Sequence, residues 1–266
     1  MKRNIQILLV IVLVFGLVSC KKRNNRTHVL LTTDLGKIEL ELYNETPLHR
    51  DNFIKLIKSG FYDDRIFHRV IKNFMIQGGN ESLPENITNS LTKGAYNYTI
   101  PAEFNRKLYH KRGALAMARM GDDVNPDKAS SATEFYIVQG AKVSKEKLKE
   151  IETYINQSIY ISNLRKFYKE EESKYFQKDT IVDYVKIQKI AKQQAKEEYE
   201  KNPFHYTDEQ IKEYTTVGGA PHLDMNYTVF GEVVSGMDVV DKIADVPTDS
   251  TDRPLKDIHF SAKILK

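Results

Sequence analysis

Apolar and polar positions alternate through the early part of the chain and again near its end. Ile38, Leu40 and Leu42 are separated by charged residues, the period-2 signature of a strand with one buried face. Strands are predicted over 28–33 and 37–42, with turn chemistry between them at Thr33-Asp34-Leu35-Gly36. Further strands are predicted over 65–70, 74–77, 115–119, 134–139, 227–233 and 258–265. Thr46 and Pro47 read as the N-cap and first residue of a helix, with Phe53, Leu56 and Ile57 facing inward and Gly60 stopping it. A short helix over 237–243 precedes the last strand. Many short strands with two helices predict a closed β-barrel with helical caps.

Residues 141–220 change the period. Glycine is absent there until Gly218, the Lys/Glu/Gln content is high, and apolar residues move to helical spacing. Leu148, Ile151, Ile155 and Ile159 line one face, and Tyr184, Ile187, Ala191 and Ala195 another. Glu170 with Lys174 and Glu197 with Lys201 are i,i+4 pairs of favourable order. Thr207-Asp208-Glu209-Gln210 is a capping box that opens a third, shorter helix, and Gly218-Gly219 ends the segment. An all-helical insertion over 141–220 is therefore expected to split the barrel sequence into 28–140 and 221–266.

Composition narrows the function classes. The 266 residues carry 40 basic and 36 acidic side chains, a net charge of +4 that is too balanced to point to nucleic acid. One cysteine and seven scattered histidines offer no metal-ligand spacing. The beginning of the chain reads as an export signal over 1–20. Lys2 and Arg3 precede an apolar run too short for a bilayer, which needs about 20 apolar residues. The run ends in Leu17-Val18-Ser19-Cys20, which resembles a bacterial lipobox, with Cys20 as the lipidation site. Residues 21–27 then read as a basic tether. A lipid-anchored protein facing the periplasm is expected, with the membrane as a partner through Cys20.

The most informative stretch is 67–79, FHRVIKNFMIQGG. It sets Arg69, the apolar Phe74 and Met75, and the amide of Gln77 on neighbouring strand positions, followed by glycines where backbone turns or approaches a ligand. No hydrolytic constellation, phosphate loop or dinucleotide fingerprint occurs. This stretch closely resembles the most characteristic block of the cyclophilin family. Residues 113–119 are similar to its GxLxMA strand, 130–137 to its SQFFI strand, and 223–233 to its LD…HxVFGxV block.

The resemblance implies an eight-stranded antiparallel barrel, packed solid inside, with the site on its outer face. It implies rotation about X-Pro peptide bonds in polypeptides, without a cofactor. Carried over, Arg69 is the catalytic guanidinium, acting with Phe74 and Gln77. Met75, Tyr136 and Leu223 complete a proline pocket, Ala118 offers backbone groups, and His222 and Tyr227 border the groove. The chain departs from the family pattern at Tyr136 for Phe, Arg119 for Asn, Glu134 for Gln, Tyr227 for His, and His222 for Trp. Two function classes follow: an isomerase acting on proline-containing unfolded or exported polypeptides, and a proline-binding chaperone with little turnover. If the insertion borders the groove, its removal should alter refolding of protein substrates more than turnover of a tetrapeptide.

Overall fold

The structure is a computed structural model that describes residues 26–79, 96, 98–177 and 181–265. The expected signal segment with Cys20 and the tether up to residue 25 lie outside the described residues. Arg26, the last basic residue of that tether, is bound to the fold. Its guanidinium reaches Glu41 at 2.7 Å and Glu45 at 3.0 Å and lies over the Tyr43 ring.

Eight strands close a barrel in which every neighbouring pair is antiparallel. They are β1 (Thr27–Thr33), β2 (Gly36–Leu42), β3 (Arg65–Ile71), β4 (Met75–Gly78), β6 (Ala114–Met117), β8 (Phe135–Val138), β9 (Val229–Ser235) and β10 (His259–Ile264). Their order around the barrel is β1-β10-β3-β4-β8-β6-β9-β2. The short β5 (Thr99–Ile100) and β7 (Ser130–Ser131) form a separate pair. The strand cores match the alternation in the sequence, and the ends differ by a residue or two. Phe74, for example, precedes β4, because Asn73 at φ +63 makes a tight turn after β3.

Alternation sends Val29, Leu31, Ile38, Leu40 and Leu42 inward, where they meet Phe67, Phe135, Phe230 and Phe260. Phe53 joins them from α1 (Pro47–Lys58), edge-on to Phe135 and Phe230 at 5.4 and 5.3 Å. The opposite cap, α5 (Met237–Ala244), adds Val239, Val240 and Ile243 to the same core. Each such buried side chain contributes about 1.5–3 kcal/mol, so the interior is occupied by packing and the site must lie outside it.

The cap of α1 differs from expectation. Thr46 makes no side-chain cap bond. Glu103 takes its place, accepting from the Leu48 and His49 backbone N–H groups at 3.1 and 3.0 Å. A carboxylate at a helix N-terminus is favoured by the dipole as well as by the bonds.

Between β8 and β9 run α2 (Lys145–Gln177), α3 (Tyr184–Lys201) and α4 (Asp208–Thr216). Thr207 and Gln210 form the capping box of α4 as the sequence predicts. Leu148, Ile151 and Ile155 are buried together with Phe204, Tyr206 and Tyr214, and Tyr109 and Met225 of the barrel pack against them. Ile187, Ala191 and Ala195 are buried as expected, whereas Tyr184 is exposed in the first turn of α3, at the end of the helix pair. The expected ion pairs are replaced: Glu170 faces Lys166, Lys174 bonds Glu171, and Lys201 faces Glu198. Alternatives three and four residues apart on an exposed helix face differ by only a few tenths of a kcal/mol, so sequence order does not decide among them. No described helix is long and apolar enough to cross a membrane.

Candidate active site

The outer face of β4, β8 and β6 carries the side chains that alternate with the core. Register pairs Met75 with Val138, Gln77 with Tyr136, and Ala116 with Tyr136. Met75, Val138, Tyr136 and Ala116 form a second apolar cluster with Ala114, Leu223 and Val229, and Phe74 and Tyr227 pack on it. Over the cluster lies a groove of about 920 Å³ lined by Arg69, Phe74, Met75, Gln77, Ala118, Tyr136, Leu223 and Tyr227, among others. Eight of the nine expected site residues therefore share one surface.

Arg69 owes its direction to a bulge. Phe67 pairs with Gly78 and Arg69 with Gln77, so β3 spends two residues where β4 spends one. The shift sets Arg69 opposite Gln77, on the groove face, and leaves its side chain 44% exposed. Its Nε donates to Asp252 Oδ2 at 3.3 Å, which fixes the guanidinium from the side away from β4. Gln77 Nε2 donates to Glu134 Oε2 at 3.1 Å.

The apolar floor is Tyr136, only 4% exposed, between His110 (rings stacked, 6.0 Å) and Tyr227 (edge-on, 6.0 Å). Burial pushes the Tyr136 phenol well above its ordinary pKa, so it stays a neutral group. Its hydroxyl lies 2.9 Å from His110 Nε2, inside the fold. The departure from the family Phe thus leaves the ring in the floor and ties the hydroxyl behind it. Arg119 closes the far wall, 4.6 Å above the Tyr227 ring, with its charge answered by Asp122 at 2.7 Å.

Two expectations change. Ala118 donates its N–H to Glu134 O and accepts Ser131 N–H at its carbonyl, both at 2.8 Å. Its N–H is therefore taken within the fold, and its carbonyl keeps one lone pair. His222 does not line the groove; it packs on Phe74 with ring centroids 5.2 Å apart. Met120 and Val124, which match no family motif, also stand in the groove wall, where they are 68% and 65% exposed. The available signal was two apolar residues within the polar stretch after Arg119.

A family profile described as cyclophilin type peptidyl-prolyl cis-trans isomerase/CLD matches residues 28–189 and 213–263. The chain belongs to the cyclophilin family. The match leaves 190–212, most of α3, the loop after it and the first half of α4, outside the family pattern. Among curated relatives, a peptidyl-prolyl cis-trans isomerase of Acinetobacter baylyi is 31% identical over 225 residues, 84% of this cyclophilin and 75% of the relative. A peptidyl-prolyl cis-trans isomerase-like 2 protein of Rhizopus delemar is 28% identical over 90% of this chain. The chain spans only 29% of that relative's length, and 37% of a Streptococcus pyogenes relative. A crystal structure of a Cryptosporidium parvum cyclophilin shares the fold, with a TM-score of 0.51 and 19% identity over 91% of this chain and 98% of that one.

Proposed function

We propose that this cyclophilin is a peptidyl-prolyl cis/trans isomerase acting on proline-containing segments of exported polypeptides, with Arg69 as the group that lowers the rotation barrier. The observation that carries the reading is the placement of a bulge-directed guanidinium beside an apolar pocket of Phe74, Met75, Tyr136 and Leu223. The same Cryptosporidium cyclophilin has been crystallised in the presence of the dipeptide Ala-Pro, which accords with a prolyl ligand.

The barrier to rotation about an amide is about 18–20 kcal/mol, and it comes from conjugation of nitrogen with carbonyl. Each roughly 1.4 kcal/mol removed speeds the reaction tenfold. An apolar pocket that grips the proline ring fixes one side of the bond while the other turns. A guanidinium near the prolyl nitrogen stabilises the unconjugated, pyramidal form, which exists only in the twisted state. Asp252 holds Arg69 through Nε, which leaves the two terminal nitrogens as donors for a ligand. Gln77 hydrogen-bonds substrate backbone, with Glu134 setting its amide. No cofactor or covalent intermediate takes part.

Protease-coupled isomerisation of an Ala-Pro-Phe peptide, with the full chain in detergent, tests the reading. Arg69→Ala should lose about 10²–10³-fold in kcat/KM while its peptide affinity changes little. An unchanged rate would remove Arg69 from the mechanism. A folded wild type that binds the peptide without turning it over would favour the proline-binding chaperone. The exposed Phe176, Ile181 and Val185 at the far end of the helix pair are the feature that supports that second reading.

The helices between β8 and β9 are read as an insertion into the barrel. Their base supports this: Gly140-Ala141 and Gly218-Gly219 run side by side, with Gly219 N–H on Ala141 O at 3.0 Å. Lipid anchoring through Cys20 rests on the lipobox alone. Growth with labelled fatty acid should label the wild type and leave Cys20→Ser unlabelled; label on both would refute the anchor.

A further inference from the structure

Behind the groove floor lies a chain of buried polar groups that the proposed reaction does not use. His110 has no exposed surface and Asp224 is 4% exposed. One Asp224 oxygen, Oδ1, accepts the His110 backbone N–H and faces His110 Nδ1, each at 2.8 Å. The other, Oδ2, accepts from Tyr214 at 2.5 Å and Tyr206 at 3.2 Å. Burial and the Asp224 charge hold both phenols protonated, so they serve as donors. A carboxylate meeting this many donors acts as acceptor throughout, so His110 carries its proton on Nδ1. On its other side, His110 Nε2 meets the Tyr136 hydroxyl at 2.9 Å, which carries the chain of hydrogen bonds to the groove floor.

The two ends of this chain belong to different parts of the molecule. Tyr136 is the floor of the groove on β8. Tyr214 is on α4, and Tyr206 precedes that helix. Asp224 directly follows Leu223, a wall of the same groove, and Tyr206 shares its single hydroxyl proton between Asp224 and Pro221 O, the latter at 3.0 Å. A second, independent tie runs along the rim. Lys128 Nζ donates to Ser158 Oγ of α2 and to Asn226 Oδ1, both at 2.5 Å, beside Tyr227.

We propose that Tyr206, Tyr214, Asp224 and His110 are positioning residues that fix the Tyr136 ring, so that α4 is a working part of the proline pocket. The proposal rests on the site reading above. Its physical basis is that a buried, fully paired network permits one arrangement, because any break strands a desolvated polar group. A floor ring fixed in this way needs no ordering when a proline ring lands on it, and the network therefore acts on binding.

The test is a double-mutant cycle on the full chain in detergent. Tyr214→Phe and Tyr136→Phe each remove one hydroxyl and keep the ring. Affinity for an Ala-Ala-Pro-Phe peptide is measured by calorimetric titration, and kcat and KM are measured alongside. Tyr214→Phe should weaken the peptide about three- to tenfold, raise KM in step, and leave kcat within about twofold. The double variant should bind no more weakly than Tyr136→Phe alone, since α4 then has no route to the floor. Wild-type affinity in Tyr214→Phe, or losses that multiply in the double variant, would reduce the network to a stability feature and overturn the proposal. Because the cycle is read on binding, a wild type that binds without turnover sinks the isomerase reading and leaves this one decidable. A folded wild type that does not bind the peptide overturns both.

Discussion

His49 shows how a single side chain joins distant parts of the barrel. It sits in the first turn of α1 with no exposed surface. Its Nδ1 lies 2.7 Å from Glu103 and its Nε2 2.9 Å from Ser130 Oγ. Burial lowers its pKa below the ordinary value, more than the Glu103 bond and charge raise it. A histidine with a depressed folded pKa takes up its proton more readily in the unfolded chain. Its contribution to stability is thus complete above about pH 6.5 and is lost as pH falls through the folded pKa. Thermal melts between pH 7.5 and 5 should show the wild type losing stability on acidification. His49→Gln, which keeps a donor for Glu103 and cannot titrate in that range, should flatten the slope. An equal slope in both proteins would place the acid sensitivity elsewhere.

At the scale of elements, what the sequence made legible is what lies close along the chain. Arg69, Phe74, Met75 and Gln77 share one hairpin, so a short run of residues spells out most of the groove, and strand alternation separates the outer Met75 from the inner Ile76. Alternation likewise marks the barrel strands, helical spacing marks α2 and α3, and a capping box marks the start of α4. The connections made by long-range side chains carried no such pattern. Glu103 caps a helix 55 residues away, and Asp224 meets His110 across 114 residues. Thr46 has the right chemistry for a cap, yet a carboxylate brought in by the fold takes the donors first. The commitment of Ala118 to Glu134 and Ser131 depends on how the turn after β6 closes, which composition does not reveal. Where the helical segment leaves and re-enters the barrel, Gly140 stands at φ +71. A Cβ there would come within 2.5 Å of Gly219 Cα, and glycine is what lets the two strands of chain pass.

For the whole molecule, the question is whether the helices extend the barrel's surface or support its site. The contacts argue for support. Arg106 of the barrel side donates to Asn202 and Pro203 carbonyls, and Gln210 of α4 donates back to Arg106 O. Tyr206 and Tyr214 complete the pairing of Asp224, and Ser158 that of Lys128. Replacing 142–216 with a short linker removes these partners while leaving the barrel core intact, because Phe53, Phe67, Phe135, Phe230 and Phe260 all lie outside that segment. The variant should therefore fold, with water admitted to Asp224 and the Tyr136 ring released. The sequence alone suggests a larger effect on protein substrates than on a tetrapeptide. With the floor of the pocket tied to α4, both should fall by a similar factor, about three- to tenfold, since each must seat a proline on the same ring. Tetrapeptide turnover measured beside refolding of a proline-limited protein separates the two outcomes. Full tetrapeptide turnover with impaired refolding would make the helices a surface for long substrates. Matched losses would make them part of the pocket's frame.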